Sequence, residues 1–377
     1  MTLLTETHTA PTPCKSPTIR LAVIGLGLRS TCITKLLTQC NPHAQLAVLV
    51  DPNPDKTQPL IDENKIRTSR HMATYNSVQD MLKAGPEIDA LIIGTRCNLH
   101  TPIAIQLAEL NLPMFLEKPV CINWEQYKQL EQAYARNHDN VLVSFPLRVT
   151  PLLQAVREYV MQGRLGTLNQ IQAVNNVSYG NVYVDSWYRD SKITGGLWLQ
   201  KATHDFDYIH HLANATPTQI TAMHSRCIWQ EPVSHQDAGS AIVQYDSGFH
   251  ANYTQNFITR QSAGKRGATL TGEDGSISFD WNTDRFTFQA HKQNRVENVS
   301  IKVEDGHGGG DQKLAENFLD LIRKRDVSQC TMHAGLLSAA TCLAARDAAN
   351  QRKVIAIPTP FINQQPMILH QHVEPLD

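Results

Sequence analysis

Three separate stretches of the sequence carry residues that could move a hydride and a proton. A glycine turn, GLGLRS, begins at Gly25, while Lys118 lies in LEKPV and His204 lies in TGGLWLQKATHDFDYIHHL. An imidazole, or an amine whose pKa is lowered by partial burial, can exchange a proton with a hydroxyl group near neutral pH. A single lysine or histidine is more often a surface or structural residue, so the surrounding elements must decide between the two interpretations.

The glycine turn follows an apolar strand and precedes a helix, which is the setting of the dinucleotide motif G-x-G-x-x-G. Gly25 permits the bend, Gly27 lets a pyrophosphate approach the backbone, and Ser30 replaces the third glycine. The Ser30 hydroxyl is expected to cap the helix or to meet a phosphate oxygen. Asp51 ends the next strand, where a carboxylate binds ribose hydroxyls and repels a 2′-phosphate. NAD is therefore expected, and NADP stays possible because Arg29 offsets part of that repulsion; a turn without any nucleotide is the competing interpretation.

The pattern of strands and helices that position these residues changes near residue 147. Apolar strands such as AQLAVLVD, IDALIIGT and VLVSFP alternate with helices from 18 to 147, and the segment 72–85 fits a short helix. This alternation predicts an α/β dinucleotide-binding domain whose fourth strand ends just before Lys118. From 148 to 377, a helix near 150–163, shorter alternating segments and two later helices predict an α+β domain with a large open, mostly antiparallel sheet. An open sheet face is expected to pair with a copy of itself, giving a homodimer or homotetramer.

Composition narrows the class of protein. A chain of 377 residues exceeds the usual single core, and 34 Lys+Arg against 35 Asp+Glu leaves no basic excess for nucleic acid. The 8 cysteines form no CxxC pair, which argues against a zinc ribbon or a disulfide framework and favours a cytoplasmic location. Residues 1–17 are rich in Thr and Pro and are expected to form a flexible arm, and no apolar run reaches membrane-spanning length.

The histidines of the third stretch allow other interpretations. His204, Asp207 and His211 share a helix face and could ligate a metal, but no supporting Cys or Glu cluster is present, so no metal is expected. His204 could also be a satisfied structural histidine. His210 and His211 are expected at the surface and at the end of the helix.

Taken together, these motifs resemble the Gfo/Idh/MocA family, which includes glucose-fructose oxidoreductase and inositol dehydrogenase, over residues 18–358. GLGLRS is similar to the family's cofactor turn, GTRCNLH to its T-P-x-x-x-H segment, LEKPV to its lysine motif and FPLR to its strand ending in arginine. The resemblance implies an N-terminal Rossmann domain followed by an α+β substrate domain. It implies cofactor contacts from the matching positions, which are Gly25, Gly27, Leu28, Arg29, Ser30, Asp51, Thr95, Asn98, His100, Glu117 and Lys118.

The resemblance further implies that Lys118 and His204 are catalytic, with Asp207 holding the tautomer of His204. The aspartate usual in the family four residues before the histidine is Gln200 here, and Lys201 follows as a second substrate-facing cation. The implied substrate contacts are Arg148, Trp187, Arg189, Gln200, Lys201, His204 and Asp207. If Arg148, Arg189 and Lys201 all face the pocket, an acidic or phosphorylated sugar is favoured. In GHGGGDQKL, His307 and Asp311 lie near the cleft by resemblance, and Asp311 either caps a helix or contacts substrate.

The function implied is NAD(P)-dependent transfer of hydride to or from a secondary alcohol of a sugar, inositol or sugar derivative. Two alternatives stay open at this point. One is a redox-neutral enzyme, of the lyase or glycosidase type, that keeps NAD bound. The other is a non-catalytic, ligand-sensing regulator on the same fold. The partners expected are a small sugar or polyol and a second copy of the chain, without nucleic acid or membrane.

Overall fold

A computed structural model describes residues 18–178, 180–302 and 306–361 of the chain. The predicted arm at 1–17 and the end of the predicted second domain, at 362–377, lie outside the described residues. Among the residues described, no helix has the length and apolar content needed to cross a membrane.

The first part of the chain forms a six-stranded parallel sheet in the order β3-β2-β1-β4-β5-β6. Its strands are β1 (Ile19–Ile24), β2 (Ala44–Val50), β3 (Thr68–Tyr75), β4 (Ala90–Ile93), β5 (Met114–Leu116) and β6 (Val141–Val143). Its helices are α1 (Leu28–Cys40), α2 (Thr57–Glu63), α3 (Val78–Ala84), α4 (Cys97–Leu107) and α5 (Trp124–Ala133). The strands β4, β5 and β6 are buried along their whole length, which explains their continuous apolar sequences.

The second part forms a nine-stranded sheet in the order β14-β13-β12-β11-β7-β10-β9-β8-β15. Its strands are β7 (Leu168–Asn176), β8 (Pro217–Ser225), β9 (Ala238–Tyr245), β10 (His250–Asn256), β11 (Lys265–Gly272), β12 (Gly275–Asp280), β13 (Arg285–Ala290), β14 (Val296–Ser300) and β15 (Ile355–Ala356). Neighbouring strands are antiparallel except for β7 and β10, which pair in parallel.

The helices of this part pack in different places. They are α6 (Pro151–Met161), α7 (Ser191–Thr194), α8 (Thr203–Ala213), α9 (Gly310–Ile322) and α10 (Met332–Gln351), and one π-helical turn (Trp198–Ala202) leads into α8. The helices α6, α8 and α10 contact strands of this sheet, whereas α7 packs against α4 and α9 packs against α1. α8 packs between the sheet and α10, so residues 201–210 are all buried. The polar side chains of α8 must therefore find partners inside the protein.

The predicted fold class is confirmed, with differences at single elements. The segment 72–85 begins within β3 and becomes helical only at Val78. β3 is the edge of its sheet and half exposed, so it lacks the apolar run that marks its neighbours. β3 also makes Lys118 follow the fifth strand rather than the fourth. The domain boundary at 147 stays a prediction; the first sheet ends at Val143 and the second begins at Leu168.

Candidate active site

The glycine turn between β1 and α1 is tightly built around Ser30. Gly25 has a φ of +80°, and a Cβ there would lie 2.7 Å from Cγ2 of Thr95. The Ser30 hydroxyl donates to the carbonyl of Gly25 at 2.6 Å and accepts from the N–H of Gly27 at 2.9 Å. A Cβ on Gly94 would lie only 2.5 Å from Cβ of Ser30, so the serine fits because residue 94 is glycine. The hydroxyl therefore caps the start of α1, as the first of the two expectations states, and a contact with a phosphate oxygen stays a prediction.

Asp51 lies at the carboxyl end of β2. Its carboxylate accepts from the backbone N–H groups of Leu26 at 3.2 Å and Asn53 at 2.8 Å. Beside it, a pocket of about 180 Å³ opens between the ends of β1, β2 and β4. Its lining includes residues that the sequence patterns did not identify, among them Asn76, Ser77, Val78 and Gln79. The sequence does carry a signal for this segment, which is a serine at the start of a helix. The Ser77 hydroxyl caps α3 by accepting from the N–H of Asp80 at 3.1 Å.

Arg29 lies on the other side of the turn from Asp51. Its guanidinium donates to both oxygens of Asp311, at 2.9 and 2.7 Å, and lies 3.5 Å from Glu117. Burial works against the charged form, but Glu117 and Asp311 raise the pKa of Arg29 above its usual range. Because β5 and β6 lie on the opposite side of β1 from β2, Arg29 is held away from Asp51. The expectation that it offsets the repulsion of a 2′-phosphate is wrong for this arrangement. Leu28 beside it is exposed.

The loops after β4 and β5 are joined by α4. The ring nitrogens of His100 lie 2.8 Å from the carbonyl of Pro119 and 3.1 Å from the carbonyl of Thr95. Burial lowers the pKa of His100, although the carbonyl groups of Pro119 and Thr95 oppose this. The Thr101 hydroxyl donates to the carbonyl of Val120 at 2.7 Å. His100 and Thr101 thus fix the backbone on both sides of Pro119, next to Lys118.

Asn98 belongs to the same helix. Its backbone carbonyl accepts from Gln126 at 3.1 Å, and its side-chain oxygen is buried with no hydrogen-bond partner among the described residues. An amide oxygen left in that state is suited to accept from a bound ligand.

Lys118 connects the first sheet to the segment that carries His204. Its ammonium donates to the backbone carbonyl of Gln200 at 3.0 Å. Gln200 is 3% exposed, and its amide nitrogen donates to the carbonyl of Tyr188 at 3.0 Å. The amide oxygen of Gln200 has no hydrogen-bond partner among the described residues. Lys118 and Gln200 therefore meet where the edge of the parallel sheet faces α8.

His204 and Lys201 are both buried at the start of α8. The ring of His204 lies edge-on to Phe145, with centroids 6.1 Å apart. The ammonium of Lys201 lies 5.8 Å from the centroid of Tyr183. Burial and the nearby Arg266 lower the pKa of Lys201 to about 7, against a smaller opposing effect of Asp205. Lys201 is therefore only partly charged at neutral pH.

Arg148 and Asp207 form a buried ion pair. The Arg148 guanidinium donates to both carboxylate oxygens of Asp207, at 3.0 and 2.5 Å. Burial raises the pKa of Asp207, although Arg148 opposes this, and Asp207 raises the pKa of Arg148 against its own burial. The carboxylate is thus paired with Arg148, and the expectation that Asp207 holds the tautomer of His204 stays a prediction. Substrate contacts by this pair stay predictions.

Trp187 and Arg189 lie on a short helical turn between β7 and α7. The Trp187 ring stacks on Tyr188 with centroids 3.9 Å apart, and Arg96 lies 5.8 Å from the centroid of Trp187. The side chain of Arg189 is exposed. The three cations that were expected to make the pocket positive therefore do not act together. Arg148 is paired with Asp207, Arg189 is exposed and Lys201 is partly neutral. The charges therefore no longer favour an acidic or phosphorylated sugar.

The remaining histidines of α8 also differ from expectation. His210 is buried, with its ring nitrogens 2.8 Å from the Tyr245 hydroxyl and 3.0 Å from the Thr341 hydroxyl. It is not a surface residue, because α8 is covered by α10. His211 is partly buried and lies 3.5 Å from Arg148. Within the described residues, no group of three or more His, Cys, Asp or Glu could hold a metal ion.

Two family models match the chain. The model described as "Oxidoreductase family, NAD-binding Rossmann fold" matches residues 19–145, and the model described as "Oxidoreductase family, C-terminal alpha/beta domain" matches residues 157–357. Both are models of Gfo/Idh/MocA proteins, and the second alone covers more than half of the chain.

Individual proteins are similar at low identity. The putative oxidoreductase YteT of Bacillus subtilis (strain 168) is 20% identical over 380 residues, covering 78% of this chain and 87% of that protein. The scyllo-inositol 2-dehydrogenase (NAD(+)) of the same organism is 24% identical over 270 residues, covering 69% and 73%. A solved levoglucosan dehydrogenase in complex with NADH has a TM-score of 0.80 at 17% identity, covering 91% of this chain and all of that one. This last likeness shows the fold alone.

The residues of the first domain fit the NAD of the matching Rossmann family. A Cβ on Gly27 would meet only the carbonyl oxygen of Gly94, at 3.8 Å, so the backbone at the start of α1 is open to a pyrophosphate. Asp51 stands at the strand end where a ribose is bound, beside the 180 Å³ pocket. Gly27, Asp51 and this pocket would hold the adenosine and diphosphate, which leaves the ends of β4 and β5 for the nicotinamide.

Proposed function

We propose that this chain, which belongs to the Gfo/Idh/MocA oxidoreductase family, oxidises a secondary alcohol of a neutral sugar or polyol. In this proposal Lys118 and His204 manage the proton of the reacting hydroxyl group. The reverse reduction uses the same groups.

One observation carries the proposal. The ammonium of Lys118, at the end of β5, donates to the carbonyl of Gln200 at 3.0 Å. Gln200 lies four residues before His204, in the π-helical turn that leads into α8. This contact supports the proposal because it joins the amine to the segment that carries the imidazole, although the two are distant in sequence. Open α/β sheets bind their ligands at this carboxyl edge.

The chain's own residues provide binding, orientation and proton transfer. NAD⁺, when bound, supplies the hydride acceptor for the carbinol carbon. Lys118 donates a hydrogen bond to the substrate oxygen, and His204 accepts the hydroxyl proton, so that the alcohol loses a hydride and a proton and becomes a ketone. The aromatic rings of Trp187 and Tyr188, stacked beside Gln200, offer an apolar face to a sugar ring and help to exclude water.

A neutral substrate is favoured by the charges around the cleft. Asp207 neutralises Arg148, and Lys201 has a pKa of about 7. The uncommitted acceptor oxygen of Gln200 is suited to a hydroxyl group and gives no attraction to a carboxylate or phosphate. The names of similar proteins support the same class, since they include scyllo-inositol 2-dehydrogenase and levoglucosan dehydrogenase.

The partner proposed for the open sheet is a second copy of the chain. Its uncovered face carries Met223, 81% exposed, and Ile242, 48% exposed, among small polar side chains. Burying such a face against itself gives a homodimer, or a homotetramer by a further contact. Light scattering on the wild type and on Ile242→Lys tests this, with a monomeric wild type as the contrary result.

The test of function is a panel of sugars and polyols followed by NADH absorbance. We expect Lys118→Ala and His204→Ala each to lower kcat/KM about 10²- to 10⁴-fold, because each removes a group that transfers or stabilises the proton. Lys83→Ala, on the exposed face of α3, is the matched control and should retain activity. Wild-type-like turnover in both active-site variants would refute the proposal.

A further inference from the structure

A second cluster of charges lies next to Lys118 and includes a residue from the far end of the chain. Asp311, at the start of α9, accepts from Arg29 at 2.9 and 2.7 Å. Arg29 lies 3.5 Å from Glu117, the residue before Lys118. The side chains of Asp311 and Glu117 are only 5% and 7% exposed. This cluster of Asp311, Arg29, Glu117 and Lys118 is called the four-charge cluster below.

The glycines before Asp311 place it in this cluster. Gly309 has a φ of +79°, and a Cβ on Gly310 would lie 2.1 Å from the carbonyl oxygen of Pro146. α9 therefore begins in direct backbone contact with the turn after β6, beside Ser144 and Arg29. Asp311 does not cap the helix, because the cap residue is Gly309. The glycine run and the aspartate thus serve the contact with Arg29, which neither of the sequence interpretations anticipated; the side chain of His307 lies outside the description.

Burial favours the neutral form of three titratable neighbours of the cluster. Burial raises the pKa of Cys97 to about 11 and raises that of Tyr188. Burial lowers the pKa of His100. Two cations, Arg29 and Lys118, therefore stand against two carboxylates, Glu117 and Asp311, and their formal charges cancel.

The position of the cluster decides which part of a bound cofactor its net charge affects. Asp51 and the 180 Å³ pocket lie on the β2 side of β1, and the cluster lies on the β5 and β6 side. A dinucleotide with its adenosine at Asp51 would extend its nicotinamide toward the cluster. The nicotinamide ring carries a positive charge when oxidised and none when reduced. A net charge in the cluster therefore changes the affinity for the two forms unequally.

We propose that Asp311 is a positioning residue which, through Arg29, sets the relative affinity of the site for NAD⁺ and NADH. The inference rests on the proposed function for the location of the nicotinamide. By cancelling the charge of Arg29, Asp311 prevents the site from disfavouring the oxidised cofactor. It also holds Arg29 against Glu117, and so fixes the backbone that presents Lys118.

The test compares the dissociation constants of the two cofactor forms without any substrate. NADH is titrated by fluorescence, and NAD⁺ is measured by competition, on the wild type, Asp311→Asn and Arg29→Gln. Asp311→Asn leaves one excess positive charge, and Arg29→Gln leaves one excess negative charge. One unit of charge beside the ring, at an effective dielectric constant of about 20 to 40, changes such an equilibrium about 5- to 30-fold. We expect Kd(NAD⁺)/Kd(NADH) to rise by that factor in Asp311→Asn and to fall in Arg29→Gln.

Asp89→Asn is the matched control. Asp89 also pairs with an arginine, accepting from Arg20 at 2.9 and 3.0 Å, but it precedes β4 and so lies at the opposite edge of the same sheet. The ratio Kd(NAD⁺)/Kd(NADH) of Asp89→Asn should equal that of the wild type. Asp311→Asn and Arg29→Gln shifting the ratio in opposite directions supports the inference, because a merely structural loss weakens both forms alike. An unchanged ratio in both variants overturns the inference alone, whereas a wild type that binds neither form overturns the proposed function with it.

Discussion

The two halves of the carboxyl edge of the parallel sheet satisfy their charges in different ways. On the β2 side, Asp51 is held by backbone N–H groups 25 and 2 residues away in sequence. On the β5 and β6 side, Lys118 reaches 82 residues to Gln200, and Arg29 reaches 282 residues to Asp311. The β2 side, called the local half below, is a motif that any Rossmann chain can build. The β5 and β6 side, called the long-range half, exists only when both parts of the chain are folded together. In the proposed function, the half that recognises the cofactor and the half that carries the reaction therefore depend on different levels of the structure.

The largest effect that sharpens this contrast is expected at the Arg148–Asp207 pair, which supports the long-range half. Asp207→Asn leaves the Arg148 charge buried and only partly compensated, so we expect the free energy of unfolding to fall by about 3 to 5 kcal/mol. Urea denaturation followed by circular dichroism measures it. Glu87→Gln, at an exposed ion pair with Arg20, is the control and should change little. An Asp207→Asn protein as stable as the wild type would contradict the role given to this pair.

Lys201 gives the long-range half a pH dependence of stability. Its pKa is lowered from 10.5 to about 7 in the folded protein. Between these values the unfolded chain holds a proton that the folded chain has lost, so stability rises with pH from about 7 toward 10, by up to about 1.4 kcal/mol per unit. Lys201→Met should remove that rise and increase stability at neutral pH. Identical pH profiles of stability for the two proteins would show that Lys201 keeps its proton when folded.

The local half is tested at Asp51. Asp51→Asn removes the charge that we propose binds ribose hydroxyls, and we expect Kd(NADH) to rise about 10- to 100-fold, since hydrogen bonds to a charged group contribute about 1.5 to 3 kcal/mol each. The same change removes the repulsion of a 2′-phosphate, so the preference for NADH over NADPH should shrink. Fluorescence titration with both cofactors measures this. Stability should change little, and a loss of folding instead of affinity would place Asp51 among the structural residues.

The smallest expected effect concerns the serine in the glycine turn. Gly94→Ala brings a methyl group into Ser30 and should destabilise the protein by about 1 to 3 kcal/mol. Ser30→Gly removes the obstacle, so the double variant should be more stable than Gly94→Ala alone, measured by a double-mutant cycle in urea. Gly27→Ala is the contrast, because its Cβ has room in the protein and should weaken only NADH binding. Strictly additive losses at 30 and 94 would mean that the two positions do not share the space.

The sequence predicts the local half well and the long-range half only in part. The strand, glycine turn, helix and terminal Asp51 are read directly from consecutive residues, and the fold class follows from the alternation of elements. The sequence patterns do not predict α2 and the edge strand β3, because both lack a continuous apolar pattern. The motifs also select Lys118, His204 and Gln200, because these lie in stretches that resemble a known family.

What the sequence cannot supply is the pairing of charges across the fold. Nothing near Asp311 identifies Arg29 as its partner, and Asp207 lies three residues from His204 yet binds Arg148. His210 resembles a helix-end residue until α10 is seen to cover it. Each of these outcomes depends on which elements pack together, and a pattern of neighbouring residues does not encode that.

The most direct test of the central claim follows the transferred hydrogen. The best substrate of the sugar and polyol panel is prepared with deuterium on its carbinol carbon, and the NADH released is examined by NMR. We expect one deuterium at C4 of the nicotinamide from the wild type, and a strongly reduced yield from Lys118→Ala and His204→Ala. Product formed by the wild type with all of the deuterium still on the sugar, and none in released NADH, would contradict net hydride transfer at this site.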